Sequence, residues 1–201
     1  MHGLAVRMLV VFAALGIGTP PIAASMQAPR WDTDSIVFGR TTVPRSTNDG
    51  GARMPHIRIE EERLDKLLGE GMLRSATLRR IVDRVESSDV IVMLRCDRRL
   101  KAAVAGQLTF LGGAGGFRYV QARVGYIGAR ARQTAIIGHE LQHALEVADT
   151  PTIVDEPSFH REYRRIGRIN RAASSAQVLA YETSAAEAVT EQILKELNTD
   201  T

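Results

Sequence analysis

An α+β fold is what this sequence predicts, on three observations. Apolar positions recur at helical spacing over 60–68 and 75–85. Apolar runs of strand length follow over 90–96, 107–111 and 117–124, and the helical period then returns from 131 almost to the C-terminus. Helices, then a small sheet, then helices again is an α+β order rather than a parallel βαβ repeat. The sheet is expected to be small and mostly antiparallel.

The first two dozen residues are set apart from the rest. Arg7 is the only charge before Arg30, and it precedes an apolar run from Met8 to Ile17. Thr19-Pro20-Pro21 then breaks any helix, and Ala23-Ala24-Ser25 supplies small residues. That is the charged, apolar and small-residue order of a secretory signal peptide. The run is short for a comfortable bilayer span, which takes about 20 residues, and an uncleaved membrane anchor is the alternative reading. The expectation is a signal peptide over 1–25, cut between Ala24 and Ala28. A secreted or periplasmic product follows, with no membrane contact after cleavage.

Residues 26–56 are rich in Pro, Thr, Ser, Asp and Gly without a sustained apolar period, and read as a flexible lead segment. The folded domain is expected over 57–198. Ile57-Arg58-Ile59 alternates as a short strand does. Leu64, Leu67 and Leu68 mark a first helix, stopped by Gly69 and Gly71. Ser75 is placed to cap a second, with Leu78, Ile81, Val82 and Val85 on one face. Val90 to Cys96 is an unbroken apolar strand. Gln107–Leu111 and Phe117–Val124 are joined by Gly112-Gly113-Ala114-Gly115-Gly116. Those glycines lack a Gly-Lys-Ser/Thr ending and a following helix, so they predict a hairpin turn and not a phosphate loop. Helices are expected from Ala131 to Val147, from Asp155-Glu156-Pro157 onward, and from Ala176 to Leu197.

Composition narrows the function. With 44% hydrophobic and 24% charged residues, the chain of 201 residues suits one water-soluble domain with its own core. The net charge is +3 and the basic residues are scattered, without the basic stripe and stacking aromatics of a nucleic-acid binder. Cys96 is the single cysteine and lies in an apolar strand, so it reads as a small core residue and no internal disulfide is possible.

The chemistry concentrates in His139-Glu140-Leu141-Gln142-His143. Residues four apart on a helix share a face one turn apart, so both imidazoles can reach one zinc ion. Glu140 points about a quarter-turn aside, where it can meet a metal-polarised water without binding the metal itself. A water so placed becomes a nucleophile near neutral pH.

Gly138-His139-Glu140-Leu141-Gln142-His143-Ala144-Leu145 resembles the active-site helix of the zincin metallopeptidases. The resemblance spans roughly residues 89–197 in layout and is specific at the five-residue motif. It implies that His139 and His143 are ligands of one catalytic Zn2+ and that Glu140 is the general base. For the third ligand the motif departs from the metzincin branch, with Glu146 where glycine belongs and Asp149 at the ligand position. Asp149 on a continued helix lies more than about 90° off the histidine face. Glu146 shares that face and reads as a solvated residue. The gluzincin branch takes a Glu from a later helix, and Glu182 with Ala185 resembles its Glu-x-x-Ala-Asp pattern, although Ala186 replaces the Asp. The resemblance thus favours a C-terminal helix carrying Glu182 as third ligand, with Glu187 and Asp149 as alternatives. The lost Asp means that support for a ligand histidine must come from elsewhere, Glu187 or Glu191 among the candidates. His160 and Tyr163 are candidate oxyanion donors, with core packing for Tyr163 and exposure for His160 as the plainer expectation. Zincins lay an extended peptide along a sheet edge, for which Phe117–Val124 is the expected strand.

The function expected is hydrolysis of peptide bonds outside the cytoplasm, with a peptide or protein as substrate and no nucleic acid as partner. Two other readings stand beside it: a non-catalytic zinc domain for structure or partner binding, and a zinc amidase acting on a non-peptide or cell-wall substrate.

Overall fold

The computed structural model describes residues 9–13, 54–100, 104–174 and 179–199, the first of these as main chain only. Strands β1 (Leu9–Ala13) and β2 (Ile57–Ile59) precede helices α1 (Glu62–Arg74) and α2 (Ala76–Glu86). Strands β3 (Val90–Cys96), β4 (Val104–Ala114) and β5 (Phe117–Val124) follow. Then come α3 (Arg130–Ala148), α4 (Glu156–Ile166), β6 (Arg168–Ile169), β7 (Ala180–Glu182) and α5 (Ser184–Asn198). The α+β class is therefore as the order of periodicities predicts. Among the described residues no helix is long and apolar enough to cross a membrane.

One sheet runs in the order β2-β3-β5-β4-β1-β7-β6. It is mixed: β4 pairs antiparallel with β5 and β1, and β6 with β7, whereas β2–β3, β3–β5 and β1–β7 are parallel. Leu94, Ala122 and Leu108 stand in one row across three strands, and none is exposed. This face packs on α3, which also meets α1, α2 and α5. Thirteen of the nineteen residues of α3 are buried, so a polar side chain on this helix has to find its partners within the protein. The glycine-rich connection is the predicted hairpin, turning at Gly115-Gly116 with φ of 60° and 81°, the left-handed pair that a two-residue turn requires.

Several boundaries differ from the sequence expectation. Helix α1 passes through Gly69 and Gly71 and ends at Arg74. Gly71 is there for packing, since a Cβ would lie 2.5 Å from Thr134 Cγ2 and 2.7 Å from Leu78 Cδ2. The last helix begins at Ser184 and not at Ala176, because Thr183 caps it by accepting from the Ala186 N–H. The residues just before that cap are extended and enter the sheet as β7. At the other end, Leu9–Ala13 of the apolar run read as a leader form β1, between β4 and β7. The cleavage region at Ala24 to Ala28 and the lead segment through residue 53 lie outside the described residues. His56, the last residue of that segment, is buried, and the main-chain N–H groups of His56 and Ile57 donate to the Glu86 carboxylate.

The C-terminal end of α3 is held by a buried charge. Arg118 of β5 is 7% exposed. Its guanidinium donates to both oxygens of Asp89 at 2.7 and 2.8 Å and to the carbonyls of Val147, Ala148, Thr150 and Ile153. These carbonyls belong to the last turn of α3 and the loop after it, where helical partners run out.

Candidate metal site

His139, Glu140 and His143 all come from the enclosed stretch of α3, and none has any exposed surface. Glu182 enters from β7, 3% exposed, one residue ahead of the cap of α5. The structure brings Glu182 to the histidines from a strand, and this corrects the expectation of a helix-borne ligand. His139 Nε2 and His143 Nε2 are 3.1 Å apart, and Glu182 Oε1 lies 3.2 Å from the first and 3.5 Å from the second. These three residues can hold a metal ion, each offering one ligand atom.

The other ring nitrogens decide how the histidines present themselves. The Thr190 hydroxyl donates to the Ala186 carbonyl at 3.0 Å, so toward His139 Nδ1, 2.9 Å away, it offers a lone pair. His143 Nδ1 lies 2.8 Å from Glu146 Oε2, a carboxylate that can only accept. Both Nδ1 atoms are therefore donors, and both Nε2 atoms turn toward Glu182. Two Nε2 atoms and a carboxylate oxygen then meet in a site without water contact, an arrangement that either a proton on a ring nitrogen or a cation at its centre can satisfy. The ionisation of the groups expresses the same demand. Burial works against a charged His143, but the Glu146 carboxylate and Glu182 outweigh it and raise the ring to about 10. Burial would raise the Glu182 carboxyl, yet hydrogen bonds with His139 and His143 hold it down at about 2.

Glu140 differs from all of these. Both its carboxylate oxygens are buried without a hydrogen-bond partner. Desolvation pushes its carboxyl well above the ordinary range. It lies against Gly106 of β4, where a Cβ would fall 2.2 Å from Oε1. An unpartnered buried carboxylate is uncommon in a folded protein and marks Glu140 as a candidate functional group.

The remaining candidates separate cleanly. Asp149 is exposed and pairs with Arg84 at 2.8 Å, away from the cluster. Glu187 pairs with Arg168 on the surface, and Glu191 is exposed. Neither supports a ligand histidine. That part falls to Glu146, which is buried at the side chain to 10% exposure and is not the solvated residue its helix position suggested. Tyr163 is fully buried and its hydroxyl donates to the His143 carbonyl. His160 is half-buried beside Glu156. Strand β5 lies between β3 and β4, so it is not the sheet edge expected of it. Thr183, Thr190 and Gly106 carry no signal in the sequence; only the i,i+3 spacing of His143 and Glu146 pointed to a contact. No protein-family model, characterised protein or solved structure matches the chain.

Proposed function

We propose that the chain is a zinc-dependent hydrolase of peptide bonds, related in its working parts to the zincins, with His139, His143 and Glu182 as metal ligands and Glu140 as general base. One observation carries this: a buried His-His-Glu cluster with an unpartnered carboxylate beside it. Ligands at about 2.0–2.2 Å in a tetrahedron lie roughly 3.3–3.5 Å apart, close to the 3.1, 3.2 and 3.5 Å of this cluster. Three protein ligands suit a catalytic ion, which keeps a fourth position for water or substrate. Zinc, when bound, supplies a Lewis acid that polarises a carbonyl and makes water acidic. Glu140 takes the proton of the attacking water and returns it to the departing amine. A site serving only structure has no use for an unpaired acid that costs desolvation energy.

We also propose that residues 1–25 direct export and are removed. Phe12 is paired with Gly106, whose Cα backs onto Glu140, and Val10 with Tyr181, the neighbour of Glu182. Loss of β1 with the leader leaves the facing edges of β4 and β7 unpaired on either side of the cluster. An extended peptide adds as a strand at such an edge, with main-chain bonds indifferent to its sequence. N-terminal sequencing of exported protein is expected to begin between Ser25 and Arg30. Intact Met1 on the product would overturn the export reading.

The metal assignment is tested by elemental analysis and chelator competition. The purified chain is expected to hold one zinc per molecule. His139→Ala, His143→Ala and Glu182→Ala should each weaken binding by several orders of magnitude, since a three-ligand site loses one coordinate bond. Asp149→Ala and Glu187→Ala should bind as the parent does. Full stoichiometry and affinity in Glu182→Ala would remove the ligand set.

A further inference from the structure

Glu146 has two sets of partners, and both belong to the metal cluster. Its Oε2 lies 2.8 Å from His143 Nδ1, and its Oε1 accepts from the Thr183 hydroxyl at 2.6 Å. The Tyr163 hydroxyl lies close by and spends its hydrogen on the His143 carbonyl. Thr183 is the cap of α5, and its own N–H donates to Glu182 Oε1 at 2.9 Å. A carboxylate this enclosed costs several kcal/mol unless it is fully engaged. No backbone group of α3 uses Glu146; its bonds run from one ligand, His143, to the residue beside another, Glu182.

We infer that Glu146 is a positioning residue: braced by Thr183, it fixes His143 in the tautomer whose Nε2 faces the cluster, and it ties the α3 half of the site to the β7–α5 half. This rests on the metal reading above and deepens it. The hydrogen bond also makes the His143 ring a better donor through Nε2, as acceptors behind ligand histidines do. Thr190 is the neutral counterpart behind His139, so the two histidines are held by different means.

The test separates position from mere packing. In 15N NMR of the metal-free parent, the His143 ring is expected to carry hydrogen on Nδ1 bonded to an acceptor, and Glu146→Ala should abolish that signature while the His139 ring keeps its own. In zinc titrations against a chelator, Glu146→Ala should weaken affinity by about 10–100-fold. Glu146→Gln, which keeps an acceptor and loses the charge, should fall between that variant and the parent. Thr183→Val should weaken affinity, and Thr183→Ser should restore it. Should Glu146→Ala not fold, the Gln variant and the Thr183 pair decide alone. Parent-like zinc affinity in both Glu146→Gln and Thr183→Val would overturn the inference, as would a His143 ring without hydrogen on Nδ1. A parent that binds no zinc yet shows the Nδ1 signature would refute the metal reading and leave the positioning contact intact.

Discussion

Glu140→Gln is expected to lower peptide hydrolysis by about 10²–10⁴-fold while leaving one zinc bound, the loss that removing a positioned general base produces. The amide has the shape of the acid, and neither oxygen of Glu140 has a protein partner to disturb. The contacts among His139, His143 and Glu182 are therefore untouched. The readout is turnover of a quenched-fluorescent peptide library, with metal content measured on the same sample. A second variant separates chemistry from architecture. Glu140→Met fills a similar volume without a buried polar group, and should be inactive yet more stable than the parent by about 1 kcal/mol or more. A residue whose removal stabilises the fold is there for reactivity. Parent-level turnover in Glu140→Gln would leave the cluster as a closed binding site, and zinc loss in that variant would make Glu140 a ligand.

Arg118→Ala should have the largest effect on stability, lowering the unfolding free energy by about 3 kcal/mol, mainly because buried carbonyls lose their donor; the Asp89 side chain is 45% exposed, so solvent screens the ion pair itself. The loss has two parts. Asp89 is left without its guanidinium, and the carbonyls of Val147, Ala148, Thr150 and Ile153 lose a shared donor at the end of the site helix. Against a typical total of about 5–15 kcal/mol this is a large fraction. Urea denaturation of the metal-free protein measures it. Hydrogen bonding from Arg118 is the leading cause holding the Asp89 carboxyl below its ordinary 3.8. A carboxyl lowered in the folded state stabilises fully above its unfolded value, and that contribution is lost as pH falls through the folded one. The difference between Arg118→Ala and the parent should therefore shrink in acid below about pH 4, while the carbonyl part persists. Arg84→Ala is the control, because the Arg84–Asp149 pair is more than half exposed on both sides and should cost less than about 1 kcal/mol. An Arg118→Ala variant no less stable than Arg84→Ala would show that the α3 terminus is held by other contacts.

What the sequence determined by itself is what local geometry determines. His139 and His143 are one helical turn apart wherever the helix goes, so their shared face follows from spacing alone. The α+β order, the glycine hairpin and the Asp155 start of α4 rest on short-range rules of the same kind, and they appear in the structure. Tertiary structure decided among residues that look alike in one dimension. Glu146, Asp149, Glu182 and Glu187 are all acids at or near helices, yet two are enclosed at the cluster and two are paired with arginines on the surface. Their fates depend on which elements lie against them, and burial is a property of packing, not of period. The same holds for the extended path of Ala180–Glu182, where pairing with β1 and β6 and the Thr183 cap prevail over a helical apolar pattern running from 176. Leu9–Ala13 show the effect once more, since an apolar run that reads as a leader also satisfies the hydrogen bonds of two strand edges. Spacing placed His139, Glu140, His143 and Glu146 on one helix; the arrival of Glu182, and the burial of Glu146, came from long-range contacts that no local pattern encodes.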